Sequence, residues 1–142
     1  MKTSKKGLEL IKKVEGVKLQ AYLPTKNDVW TIGYGHTKGV KQGDFITEAD
    51  AHFFLVQDVK WAEDAVLDSV EVPLTQEQFD ALVCFVFNVG GSAFRSSTLL
   101  KLLNQGKYEA AAKQFSRWNQ QKGEVLGGLT ARRKLEMELF LA

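Results

Sequence analysis

Between Val17 and Val40 this chain cannot be helical. Gly33, Gly35, Gly39 and the cluster Pro24–Asp28 break any helix that would cross them. On either side, apolar residues recur at helical spacing. That contrast predicts a small β-rich segment set among helices. Leu19–Leu23 and Val29–Tyr34 have the β-branched and aromatic content of short strands. A sheet of two or three such strands is too small to stand alone and must pack on helices.

The helical pattern begins at Ser4, which is placed to cap a short amphipathic helix. Leu8, Ile11 and Val14 share one face of it, and Gly16 ends it. Thr47-Glu48-Ala49-Asp50 opens a long helical pattern running to about Asp68, and Val72-Pro73 breaks it. Thr75-Gln76-Glu77-Gln78 is a capping box. The helix after it, from Phe79 to Phe87, is apolar on almost every side and is expected at the centre of a core. Further helices are expected from Ser97 or Thr98 to near Gly106, from Tyr108 to Trp118, and after Thr130 as a cap. Asn119 to Gly128 is expected to be a loop. The order gives an α+β fold with its strands gathered in one lobe. One domain spans 1–142, with a β-rich lobe over 16–46, a bridging helix over 47–68, and a helical lobe over 74–142 that takes in the N-terminal helix.

Composition narrows the function. At 142 residues, roughly two-thirds of the unfolded surface can be buried, so a core forms without disulfides or metals. A net charge of +2 without a basic stripe argues against a nucleic-acid binder. The single cysteine, Cys84, sits in an apolar run and reads as a small buried hydrophobe. The lysines at the N-terminus precede no apolar core, so neither a signal peptide nor a membrane anchor is expected.

The chemistry concentrates between Glu15 and Thr37. Glu15 falls in the last turn of the first helix, where the macrodipole disfavours a second negative charge and favours a protonated carboxyl. Asp28 and Thr31 lie on the following hairpin. An acid on one side of a scissile bond and a water-holding group on the other is the arrangement that glycoside hydrolysis needs. Spacing alone leaves Glu15 readable as a solvated helix-end residue and Asp28 as a turn former. His36 and His52 are isolated from other ligand types, so no metal site is expected. Gly33-Tyr34-Gly35 lacks the third glycine and the following helix of a dinucleotide fingerprint.

Glu15-Gly16 with Leu19 and Ala21-Tyr22 is followed by Trp30-Thr31-Ile32-Gly33-Tyr34-Gly35-His36-Thr37. Further on come Val72-Pro73-Leu74-Thr75, Gln78–Leu82, Phe87-Asn88-Val89-Gly90, Ser97-Thr98-Leu99 and Gly128-Leu129 with Arg132-Arg133. In this order, over nearly the whole chain, the sequence resembles the phage-type lysozymes, the muramidase endolysins of tailed phages and their prophage relatives. The resemblance implies a lysozyme-like fold with a saccharide cleft between two lobes. It implies hydrolysis of the β-1,4 bond between N-acetylmuramic acid and N-acetylglucosamine in peptidoglycan, without a cofactor. Glu15 matches the general acid and Thr31 the residue that helps hold the attacking water. Tyr22, Asn88 and Arg132 are the expected substrate-binding residues, with Arg132 and Arg133 meeting acidic peptide stems or serving structure. His36 matches a residue with a structural role.

One departure stands out. The family's usual aspartate, two residues after Tyr22, is replaced by Pro24, and Asp28 is the acidic side chain left in the loop. Either Asp28 takes over the water-orienting task, or it is a turn residue and Glu15 works with Thr31 alone. Two alternatives to hydrolysis follow: lytic transglycosylase-like cleavage using Glu15 alone, or a non-catalytic peptidoglycan-binding module. The expected partners are peptidoglycan and a holin-like membrane protein for release, with no direct contact. The chain is expected to be a monomer in the host cytoplasm until release to the periplasm and cell wall.

Overall fold

The computed structural model describes residues 1–142. The chain packs into two compact units, one of Ile11–Lys60 and one of Met1–Leu10 with Trp61–Ala142. Helix α1 (Lys5–Glu15) opens with Ser4 accepting from the Gly7 N–H at 3.2 Å, as its capping role requires. It closes at Gly16, whose φ of +71° is the left-handed turn that glycine takes without strain.

In the smaller unit, β1 (Lys18–Tyr22) pairs antiparallel with β2 (Thr31–Gly33), placing Tyr22 opposite Thr31. The other edge of β1 is covered by 44–46: Ala21 donates to the Asp44 carbonyl and Ile46 to the Leu19 carbonyl, each at 2.9 Å. The two or three strands expected are therefore a two-stranded sheet with a one-bridge third edge at Phe45. Beneath it lies α2 (Glu48–Asp58), capped by a reciprocal Thr47–Asp50 box.

The single long helix expected over 47–68 is two helices, α2 and α3 (Lys60–Ser69). At Val59 ψ opens to −13°, far from the helical value of about −42°, and the helix breaks there without a loop. The break falls beside the boundary between the two units.

The larger unit is built on α4 (Gln76–Val89), started by the Thr75–Gln78 capping box. From Phe79 to Val86 every side chain is buried, so the all-round apolar pattern did mark the centre of the core. The approach of α1 to α4 is close. A Cβ at Gly7 would stand 2.6 Å from Asp80 Cγ, a distance only glycine tolerates. Asp80 is itself buried and accepts from the Ser4 N–H at 3.0 Å, the Ser4 hydroxyl and the Gln76 amide.

Helices α5 (Gly91–Arg95), α6 (Thr98–Asn104) and α7 (Tyr108–Gln114) follow, then one 3-10 turn over Phe115–Arg117. Ser97 caps α6 through the Leu100 N–H at 3.1 Å. Phe85 meets Phe94, Phe115 and Trp118 edge-on, the arrangement that the ring quadrupole favours.

The expected loop over 119–128 holds a hairpin, β3 (Gln120–Gln121) with β4 (Glu124–Val125). Lys122 and Gly123 both have positive φ, as a two-residue primed turn requires. The last helix, α8, runs Gly127–Phe140, four residues earlier than a Thr130 cap would start it. The Thr130 hydroxyl donates back to the Leu126 carbonyl at 3.2 Å, inside the first turn, and caps nothing. No helix is long and apolar enough to cross a membrane.

Candidate active site

Glu15, Tyr22, Asp28 and Thr31 all belong to the smaller unit. Glu15 is the last residue of α1 and is half-buried; Gly16 turns the chain at once into β1. One turn earlier on the same helix, Lys12 places its ammonium 5.8 Å from the centre of the Tyr34 ring. This cation–π contact joins the end of α1 to the turn after β2.

That turn is tight. Ile32 and His36 exchange backbone hydrogen bonds of 2.8 Å in both directions, closing Gly33-Tyr34-Gly35 into a loop. His36 is buried, is hydrogen-bonded through Nδ1 to Asp58 Oδ2 at 2.8 Å, and lies flat on Phe54 with ring centres 4.2 Å apart. Both neighbours come from α2, so His36 ties the turn to that helix. Its ring is occupied in a way that suits a structural residue.

Thr31 is buried to 5% exposure. Its hydroxyl donates to the Val29 carbonyl at 3.0 Å. With its one proton committed, Thr31 Oγ1 presents lone pairs only, and a water beside it must donate to it. That leaves the water's own lone pair directed elsewhere, which is the state a nucleophilic water needs.

Asp28 is exposed, and its backbone closes a turn onto the Thr25 carbonyl at 3.1 Å. Its Oδ1 accepts from the Val29 N–H at 2.9 Å. The turn-forming role is thus present in the geometry, and Oδ2 has no part in it. Val29 therefore orients both side chains, Asp28 through its N–H and Thr31 through its carbonyl. Sequence spacing gave no sign of this shared backbone anchor. Pro24 lies in the same exposed turn.

Asn88 and Arg132 belong to the larger unit. Asn88, near the end of α4, is exposed and accepts at Oδ1 from the Arg133 guanidinium. Arg132 is 6% exposed and donates to the Cys84 carbonyl at 2.8 Å and to Glu136 Oε2 at 3.1 Å. It is not displayed to solvent as a cation for peptide stems; the structural role left open by the sequence is the one this placement fits. Arg133 pairs with the other oxygen of Glu136, so one fully buried carboxylate holds two arginines. Glu136 was overlooked in the sequence, although it stands three and four residues after the two arginines, the helical spacing at which opposite charges meet. Burial pushes the nearby Cys84 thiol up, and Glu136 adds to the shift. A neutral, enclosed thiol is the small hydrophobe that its setting implied. No group of three His, Cys, Asp or Glu side chains is placed to hold a metal ion.

The phage lysozyme family model matches residues 12–136. An endolysin of Acyrthosiphon pisum secondary endosymbiont phage 1 is 44% identical, over 99% of this chain and 98% of its own length. Among solved structures, the muramidase domain of SpmX from Asticaccaulis excentricus superposes with a TM-score of 0.94 at 41% identity, covering 99% of this chain and 98% of that one. A point mutant of P22 lysozyme gives a TM-score of 0.92 at 39% identity, covering 100% and 99%. The chain is an enzyme of the lysozyme type and belongs to the phage lysozyme family.

Proposed function

We propose that this lysozyme lyses peptidoglycan by hydrolysing the β-1,4 bond between N-acetylmuramic acid and N-acetylglucosamine, with Glu15 as general acid. The observation that carries this reading is local. A helix-end carboxyl stands in the same compact unit as a buried threonine whose hydroxyl proton is already spent on Val29. Glu15 gives its proton to the leaving glycosidic oxygen. Water donates to Thr31 Oγ1 and attacks the anomeric carbon. Asp28, held at Oδ1 by Val29, offers Oδ2 as the acceptor that draws the water's second proton. Tyr22, opposite Thr31 on β1, completes the sugar-facing side of this unit.

The test is clearing of chloroform-treated Gram-negative cells by pure protein. Wild type clears and Glu15→Gln does not. Product analysis separates the chemistries: hydrolysis gives a reducing end, with the anomeric centre inverted if the water attacks directly. Lytic transglycosylase-like cleavage with Glu15 alone gives an anhydro product lighter by one water. That second reading draws on the exposed, turn-bound state of Asp28. Binding to the wall without clearing would mark a non-catalytic module. The proposed route to the wall is through a hole made by a holin-like membrane protein, the chain acting as a monomer. Lysis of cells expressing the enzyme with and without such a protein checks that route.

A further inference from the structure

The larger unit carries a recess of about 320 Å³ where α5 meets α6, lined by Arg95, Ser96, Thr98, Lys101 and Asn104 among others. Two of its lining side chains are cations and none is a carboxylate. Arg95 and Lys101 are both exposed, and neither is tied to an acidic partner. Arg95 is nevertheless seated. A Cβ at Gly91 would stand 3.2 Å from one of its terminal nitrogens and 3.3 Å from the other. The guanidinium therefore folds back over the first residue of α5, into room that only a missing side chain leaves.

The rest of the lining is set by valence. The Ser96 hydroxyl donates to the Ser92 carbonyl at 3.1 Å, and the Ser97 hydroxyl to the Phe94 carbonyl at 2.7 Å. Each hydroxyl has one proton, so neither has a donor left for a ligand. Asn104 is turned back to the end of α3. Its amide donates to the Ser69 carbonyl at 3.0 Å, and its oxygen accepts from the Glu71 N–H at 2.8 Å. What the recess still offers is donation, from Arg95, Lys101, the Thr98 hydroxyl and the second N–H of Asn104. A ligand that suits these donors and two positive charges is rich in acceptors and anionic.

We propose that this recess binds a phosphate group, at a site that uses no residue of the smaller unit. Arg95 gives paired N–H donors to two phosphate oxygens, and Lys101 brings a point charge to a third. Charge decides between the oxyanions. A phosphate monoester carries about −1.5 to −2 at pH 7 and matches both cations, whereas a carboxylate matches one. The phosphate belongs to a soluble phosphate ester or to a phosphate-bearing lipid headgroup, and the two sources are separable by experiment. The site adds to the larger unit a binding function that hydrolysis by Glu15 does not need.

Inorganic phosphate is titrated into the protein and followed by backbone amide chemical shifts, with acetate at matched ionic strength as the carboxylate. The expected result is saturable shifts over 95–101 with phosphate and weaker ones with acetate. Arg95→Gln should weaken phosphate binding about tenfold or more, the scale of one charge-assisted hydrogen bond. Arg95→Lys keeps the charge and loses the fork, so its affinity should fall between the two. Lys5→Gln with Lys6→Gln removes two exposed charges from α1 instead and should leave phosphate binding unchanged. The lipid source is read by sedimentation with phosphatidylcholine vesicles, with and without phosphatidic acid. Vesicle binding that needs both phosphatidic acid and Arg95 names the headgroup; phosphate shifts without vesicle binding name the soluble ester. Acetate binding as tight as phosphate, an equal loss in the Lys5 and Lys6 variant, or neither phosphate shifts nor vesicle binding overturns the site. Arg95→Gln should cut soluble uncrosslinked glycan strands at the wild-type rate. A rate that falls in step with phosphate affinity would make Arg95 part of glycan binding and overturn a separate site.

Discussion

The two polar centres of this molecule are held by different means. In the smaller unit, Asp28 and Thr31 are oriented by the backbone of Val29, and their own side chains carry no counter-charge. In the larger unit, Arg132, Arg133 and Glu136 are buried and orient one another. The first arrangement leaves Asp28 Oδ2 and the lone pairs of Thr31 Oγ1 available at small structural cost. The second spends its charges on itself, and what reaches the surface is the neutral Asn88 amide. A substitution in the first should therefore be felt in rate, and one in the second in stability.

The largest expected effect breaks the comparison if it fails. Glu15→Gln should lower the clearing rate about 10²–10⁴-fold, the range that general acid catalysis supplies. Thermal unfolding of this variant should remain close to wild type. A large loss of melting temperature with the lost rate would put Glu15 among the structural groups.

Glu136→Gln reverses the pattern. It keeps the shape and an acceptor but leaves two buried guanidiniums without their carboxylate. Removing one partner of a buried charge network costs about 3–5 kcal/mol, read by urea unfolding. Activity below the new melting point should fall far less than in Glu15→Gln. An unfolding free energy unchanged by Glu136→Gln would mean that the larger unit does not depend on this network.

These two centres were unequally legible in the sequence. The α+β order, the buried α4, the helix start at Thr47 and the capping box at Thr75 follow from periodicity and cap chemistry, which are local. Glu15 could be placed at a helix end because Gly16 stops the helix visibly. The anchor at Val29 could not be read, because backbone hydrogen bonds leave no side-chain signature. The β3–β4 hairpin was hidden for a related reason: its strands are two residues long and exposed, so no alternation marks them. The break at Val59 is a change of one ψ angle within a sequence that stays helix-like on both sides. Glu136 was the one readable omission, since its spacing from Arg132 and Arg133 is that of a helical ion pair.

Asp28→Asn sharpens the smaller unit by separating its two roles. The amide oxygen can still accept from the Val29 N–H, so the turn should survive. The anionic Oδ2 is lost. A drop of about tenfold in clearing rate, with unchanged melting, is the expected outcome if Asp28 draws the water's proton. Activity within a few-fold of wild type would assign Asp28 to the turn alone and leave Thr31 as the group that holds water.

The smallest effect probes the larger unit through pH. Cys84 is enclosed, and burial, with Glu136 beside it, raises its thiol well above the ordinary cysteine value of 9.0. The unfolded chain exposes an ordinary thiol, which ionises near that value. Below it, both states hold the proton and folding is unaffected. Above it, the unfolded state releases its proton while the folded state keeps it, so stability falls as pH rises. The slope approaches about 1.4 kcal/mol per pH unit for one such group. Other groups titrate in the same range, so the measurement is a difference. Urea unfolding of wild type and Cys84→Ala between about pH 8 and about pH 10 should show the steeper decline in wild type. Equal slopes would mean that the thiol ionises in the folded protein as easily as in the unfolded chain, and that the packing around Glu136 is open to water.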